Sequence, residues 1–434
     1  MELDRTIAPE IQQISHFSIM QPERLILTNG MPLNILRAGS EEVVRFDLLV
    51  KGGQLHQTQP LQAVLTNRML REGTRSFTST EIAERLDYYG AWLDLSSSVS
   101  HGYISLYSLN KYFPQTLRIL ASMVQEAVFP EKELNTVLEA NKHQFLVNNE
   151  RVDVLARKQL NRSLFGPGHP LGRYAVFEDY DKITSEVLRQ FHETHYHSGN
   201  CSAYISGNVT PENVTPEIIR AIEENFGNGH WGKGTVISQA PCYSPEPESQ
   251  KRVFIEKGNA MQSSIKIGGF TLGKRHPDAL KYKVLVTLFG GYFGSRLMSN
   301  IREEKGYTYG IGAGIVSYPG NGILIISTEA GNEYIEPVIT EVYHEMDRLC
   351  EEKVSQQELT MVKNYILGDM CRSYESAFSL ADAWIYIESE GLDNDFYTRS
   401  VDAVKAVTPD ELLELAQKYF CKENLIEVVA GKKV

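Results

Sequence analysis

The sequence predicts an α+β chain built as two tandem copies of one domain. Three observations carry this: self-similarity at a separation of 224–225 residues, a Gly-, Pro- and Ser-rich stretch between the copies, and mixed strand-like and helix-like segments within each copy. At 434 residues the chain is also too long for one ordinary hydrophobic core.

The repeat is read from matched segments. Glu133-Leu134 opens ELNTVLEANKHQFL, and Glu358-Leu359, 225 residues later, opens ELTMVKNYILGDMC. Leu155-Ala156 and Leu380-Ala381 keep the same separation. ITSEVLRQFHETHYHSGNCSAYISG, from Ile183, then matches VTPDELLELAQKYFCKENLIEVVAG, from Val407. Thr184 and Thr408, Asn200 and Asn424, and Gly207 and Gly431 each lie 224 apart, so one deletion separates the copies. Such a period is far too long for a solenoid and marks a duplicated domain. Residues 227–250 (GNGHWGKGTVISQAPCYSPEPESQ) lack periodicity and read as a linker between a first unit, 1–226, and a second, 251–434.

Within the first copy, residues 24–37 form two short apolar runs around Asn29-Gly30, a hairpin signal. Residues 43–50 read as a strand ending at Gly52-Gly53. Residues 60–72 read as a helix with Leu61, Val64, Leu65 and Arg68 on one stripe. Thr78 and Glu81 form a capping box for a helix over 81–89. Residues 101–109 read as a strand. Residues 113–127 read as an amphipathic helix through Leu117, Leu120, Met123 and Val124.

Composition narrows the function. Hydrophobic residues are 42% and charged residues 23%, ordinary for a soluble globular chain, and no apolar run is long enough to span a bilayer. The first twenty residues lack a basic segment followed by an apolar core, so no signal peptide is expected. Five widely spaced cysteines (201, 242, 350, 371 and 421) without CxxC point to reduced thiols in a cytoplasmic setting. A net charge of −12 argues against nucleic-acid binding; it suits a solvated acidic surface or a chamber for basic peptides.

The stretch LQAVLTNRMLREGT (61–74), preceded by KGG and followed by SFTSTEIAERLDYYGAWLDLSSS, resembles the insulinase (pitrilysin, mitochondrial-processing-peptidase) zinc peptidases of family M16, subfamily B-like. The resemblance covers about residues 24 to 431. It implies the processing-peptidase fold, in which each half is a twisted, mostly antiparallel sheet covered by helices and the halves form a clam-shell. Active members carry HxxEH on this helix, followed by a short run ending in Gly-Thr. With Gly73-Thr74 fixing the register, the ligand positions fall at Val64 and Arg68 and the general base at Asn67. The third ligand, a downstream Glu, falls near Gln144, flanked by His143 and Phe145. Two His four apart share a helix face and reach one Zn²⁺ while the Glu takes a proton from bound water. Here Val64 has no lone pair, Arg68 is a permanent cation, and Asn67 cannot accept a proton near neutral pH. The resemblance therefore implies a non-catalytic subunit with no metal of its own, and zinc held in a partner.

Two further histidine readings arise. HETHYH places His192, His195 and His197 close in sequence, but the repeat aligns them with Ala416, Tyr419 and Cys421 at a helix end, which favours a structural role. Nothing in their spacing makes His143 and His101 a ligand pair.

The strongest match is LFGGYFGSRLMSNIREEKGYTYGIGAGI (288–315), which resembles the family segment that supplies an Arg and a Tyr, seven residues apart, to substrate; here these are Arg302 and Tyr309. The resemblance implies that they hydrogen-bond the scissile carbonyl and its oxyanion. The structural alternative pairs Arg302 with Glu303 or Glu304 and leaves Tyr309 an ordinary strand aromatic. Gly290, Gly291 and Gly294 predict a tight turn before a helix over 295–304; no Lys-Ser/Thr follows, which excludes a phosphate loop. FGPGHPLGRY (165–174) resembles a structural loop of the family's first half. The implied partner is an HxxEH-bearing subunit enclosing a peptide. The alternatives are a structural scaffold, a peptide-binding homodimer with no peptidase role, and an enzyme with a relocated metal.

Overall fold

The structure, a computed structural model, describes residues 6, 18–209, 215–229, 231–232, 234, 236–237, 241–318 and 320–433. Most of the first twenty residues and parts of the 227–250 linker lie outside these.

The first sheet is built from β1 (Glu23–Ile26), β2 (Pro32–Arg37), β3 (Val43–Lys51), β4 (Trp92–Ser97), β5 (His101–Leu109) and β6 (Cys201–Gly207), in the order β1-β2-β6-β3-β5-β4. The second contains β7 (Arg252–Glu256), β8 (Gln262–Thr271), β9 (Thr308–Tyr318), β10 (Asn321–Gly331) and β11 (Ile426–Gly431), in the order β7-β11-β8-β10-β9. The orders superpose strand for strand once β1 is set aside. Each sheet is antiparallel except for one parallel pair, β2 with β6 and β7 with β11. The duplication is thus present in the topology. The hairpin at Asn29-Gly30 forms as the sequence predicts, with Gly30 in the left-handed region at φ +91°.

The helices of the first half are α1 (Gln62–Met69), α2 (Ser79–Tyr88), α3 (Phe113–Gln125), α4 (Glu131–Asn149), α5 (Val152–Phe165), α6 (Ser185–His195) and α7 (Thr215–Ile222). Those of the second are α8 (Ala279–Val286), α9 (Ile335–Glu351), α10 (Gln356–Ser373), α11 (Ala377–Glu390), α12 (Phe396–Ala406) and α13 (Pro409–Tyr419). Capping residues set several starts: the hydroxyls of Thr78, Thr184, Ser355 and Thr408 each accept the backbone N–H three residues on.

Strand alternation divides each sheet into two faces. Val44, Phe46, Leu48 and Val50 of β3 join helices α1, α3 and α6 in one core, and the matching core of the second half gathers β8 with α8, α9, α10 and α13. The opposite faces are covered by exchange. Leu160 and Leu164 of α5 pack with Ile323, Ile426 and Val428 of the second sheet, while Leu380, Trp384 and Ile387 of α11 pack with Leu36, Leu49 and Tyr204 of the first. Gly268 on β8 lacks a side chain where α5 arrives: a Cβ there would sit 3.0 Å from Leu160 Cδ2. The linker follows α5, with Glu246 and Glu248 N–H donating to Phe165 and Ser163 carbonyls.

Candidate functional site

On α1 the three positions matching the HxxEH residues have different environments. Val64 is exposed, and Arg68 is exposed with its guanidinium donating to Asn141 Oδ1 on α4 at 3.0 Å. Gln144 bonds Asn148 at 3.0 Å within its own helix, and His143 beside it is exposed. The α4 residue that meets Arg68 is therefore Asn141, nearly one turn before Gln144. Asn67 is only 1% exposed. Its Nδ2 donates to the carbonyls of Ser96 and Tyr103, a facing pair on β4 and β5, and its Oδ1 accepts the Tyr196 hydroxyl at 3.3 Å. It is a cross-link between α1, the sheet and α6. No set of these side chains fits a zinc ion: a valine, a guanidinium and amides offer no anionic donor, and His143 alone makes no site. Among the described residues no group of three His, Cys, Asp or Glu is arranged to hold a metal.

The histidines of HETHYH have separate tasks. His192 Nε2 meets Val124 O at 2.7 Å and His195 Nδ1 meets Lys51 O at 3.0 Å. His197 is buried against Gly234, where its ring blocks any Cβ. Burial pushes His192 and His195 down to about 4, the backbone carbonyls opposing it.

In the second half, α8 runs into a π-helical turn, Thr287–Gly291, and after a bend a second π-helical stretch, Met298–Glu304, carries Arg302. The expected helix over 295–304 therefore has a widened pitch. None of Gly290, Gly291 and Gly294 adopts positive φ. Gly290 serves packing instead, since a Cβ there would lie 2.6 Å from Ala313 on β9. Gly306, at φ +65°, turns the chain into β9.

β9 opens with a bulge. Ile311 faces Thr328 and Thr308 faces Ala330, so Tyr309 and Gly310 together oppose the single residue Glu329. Thr308 Oγ1 pins the bulge through Thr328 Oγ1 at 2.8 Å and Glu329 O at 2.6 Å. The extra residue leaves Thr308 and Ile311 buried and aims Tyr309 outward, 89% exposed. Arg302 Cζ lies 5.2 Å from the Tyr309 ring centroid and 4.6 Å from that of Phe293. Its Nε is 3.2 Å from Glu303, the ion pair the structural alternative anticipates. Both terminal guanidinium nitrogens and the Tyr309 hydroxyl lack hydrogen-bond partners among the described residues. Sequence reasoning missed Phe293 and the bulge; an aromatic beside Gly-Gly carries no signal that separates it from a core residue.

One face of the first sheet, α11 and Ser317 of β9 line an open-sided cavity of about 550 Å³. Arg45 on its wall bridges Asp47 at 2.8 Å and Asp382 of α11 at 2.6 Å, and Ser105 donates to Asp47 at 2.6 Å. Burial raises the Asp47 carboxyl, with the Arg45 charge opposing. His101 lines the same cavity, buried and held down to about 4 by desolvation and by the nearby His56 and Lys51.

A duplicated α+β fold with mostly antiparallel sheets, in which α1 carries no metal donors at Val64, Asn67 and Arg68, defines a zinc-peptidase-like architecture. The family profiles agree: "Insulinase (Peptidase family M16)" matches residues 35–168 and "Peptidase M16 inactive domain" matches residues 182–366. The chain belongs to peptidase family M16. It is 22% identical over 363 residues to the uncharacterized zinc protease YmxG of Bacillus subtilis, covering 82% of this chain and 85% of that one. It is 24% identical over 327 residues to the "Non-peptidase homolog YmxG" of Helicobacter pylori, covering 73% and 72%. The crystal structure of a peptidase M16 inactive domain from Pseudomonas fluorescens superposes with a TM-score of 0.85 at 21% identity, covering 96% of this chain and 99% of that one. No helix among the described residues is long and apolar enough to cross a membrane.

Proposed function

We propose that this chain is the non-catalytic, substrate-binding subunit of a heterodimeric zinc endopeptidase, working beside an HxxEH-bearing relative that holds the metal and the general base. Residues 1–226 and 251–434 are its two peptidase-like units and 227–250 their connection. The observation that carries the reading is the state of Arg302 and Tyr309: two donors brought together from a helix and a strand, the arginine half-buried and the tyrosine exposed, with the guanidinium ends and the phenol free to bond. Arg302 presents a flat pair of N–H groups to a peptide carbonyl, and the Tyr309 hydroxyl adds a donor as negative charge develops on that oxygen. A scaffold alone has no need of terminal guanidinium nitrogens and a phenol left without hydrogen bonds beside a bulge that aims the tyrosine outward.

Co-purification with an HxxEH-bearing M16 subunit tests this. Peptide hydrolysis needs both chains, and Arg302→Ala and Tyr309→Phe in this chain lower kcat by about 10²–10³-fold and about 10-fold, with zinc content of the complex unchanged. Full activity of R302A removes the carbonyl-binding role. Stoichiometric zinc with chelator-sensitive cleavage by this chain alone sinks the whole assignment.

A further inference from the structure

Phe293 is 63% exposed, on the bend between the two π-helical stretches, although Phe289 and Leu297, four residues to either side, are fully buried. Its position is fixed from both sides. Tyr292 stacks on Tyr365 of α10 with centroids 4.8 Å apart, and Gly290 is packed against β9. Ser295, fully buried, donates its N–H to Tyr292 O at 3.1 Å and closes the bend. The backbone at Phe293 is therefore anchored while its side chain projects. The group that it meets is the Arg302 guanidinium, at 4.6 Å from the ring centroid.

We propose that Phe293 is a positioning residue that holds Arg302 for substrate. A guanidinium on three methylenes loses much rotamer freedom when it binds, and an exposed Glu303 contact at 3.2 Å does little to reduce that loss. Two aromatic rings, Phe293 and Tyr309, restrict the planar cation more strongly, because a guanidinium both stacks and interacts with the ring quadrupole. They contact it without consuming its N–H donors, which lie in the guanidinium plane. Pre-ordering of this kind raises affinity without adding a contact to the ligand. The inference rests on the reading of Arg302 as a substrate contact, and it adds a residue which that reading lacks.

The test has two arms on the full chain. The first is ¹⁵N relaxation of the Arg302 Nε–Hε group in the parent, F293L and F293W. The order parameter is expected to fall from roughly 0.85 to below about 0.6 in F293L and to stay high in F293W. The second is the binding of fluorescein-labelled oxidised insulin B chain by anisotropy, as a double-mutant cycle. R302A is expected to weaken binding about 10-fold or more, F293L about 5-fold, and F293W less than about 2-fold. F293L/R302A is expected to match R302A, because Phe293 acts only through the arginine. Circular dichroism melting of F293L at the parent temperature shows that the fold is intact. An Arg302 as rigid in F293L as in the parent overturns the proposal, and so do penalties that add in the double variant. Loosening of Arg302 in F293L together with parent-like binding by R302A leaves the aromatic clamp standing and removes the substrate role argued above.

Discussion

Asn67, which the sequence resemblance places at the family's general-base position, has a structural task in this fold. Its amide bonds two facing strand carbonyls and a buried tyrosine hydroxyl between α1 and the sheet. Asn67→Ala is expected to destabilise the chain by about 1–3 kcal/mol, the cost of losing these buried hydrogen bonds and leaving the Tyr196 hydroxyl without its acceptor, read as a lower urea midpoint at unchanged m-value. A midpoint within error of the parent sinks the cross-link. Asn67→Glu is expected to be worse, because it buries a carboxylate against carbonyl oxygens. The chemistry of Val64 and Arg68, which offer zinc no donor wherever they point, was legible in the sequence. The task of Asn67 was not, because it depends on a β4–β5 pairing that only the fold brings to α1. Phe293 was hidden for the opposite reason: its exposure comes from a bend anchored by its neighbours.

At the scale of elements, α6 is tied to the body through its histidines. His192 bonds the end of α3, His195 bonds the end of β3, and His101 of β5 lies near the same corner, close to His56. All three are held near 4 by burial, below the ordinary 6.5, so they are neutral in the folded chain at pH 7. The unfolded chain binds protons below about 6.5 that the folded chain refuses until about 4. Stability from these groups is therefore complete above pH 6.5 and is lost as pH falls toward 4. Across pH 6.5 to 5 the three together remove on the order of 4 kcal/mol of unfolding free energy. Urea titrations at half-unit steps measure this, and a flat profile in that window refutes it. The helix start at Thr78, the strands over 43–50 and 101–109 and the repeat were legible at this scale because they rest on a local cap, on alternation and on matched segments. The π-helical pitch of Met298–Glu304 and the bulge at Tyr309 were not, because a one-residue change of register leaves the pattern of apolar residues nearly intact.

The exchange of α5 and α11 decides how the whole molecule holds together. Each helix belongs by sequence to one repeat and covers the sheet of the other. No periodicity reveals this, since the apolar stripe of Ala156, Leu160 and Leu164 reads the same whichever sheet lies beneath it. The exchange also carries ionic and polar ties, Arg45 to Asp382 and Tyr204 to Trp384 O, across the same boundary. A fragment of residues 1–226 leaves Leu36, Leu49 and Tyr204 bare on one face of its sheet and α5 without the surface it covers. A fragment of 251–434 leaves Ile426 and Val428 bare in the same way. Each large apolar side chain so exposed forfeits roughly 1.5–3 kcal/mol, and several together match the marginal stability of a domain this size. The full chain is therefore expected to unfold in one cooperative transition, with fluorescence and circular dichroism coincident. Neither fragment is expected to show a cooperative transition alone, and mixing them is expected to restore the near-ultraviolet signal of the parent. Independent two-state folding of the 1–226 fragment with parent-like stability contradicts the exchange as a stabilising device, because that fragment contains no part of α11.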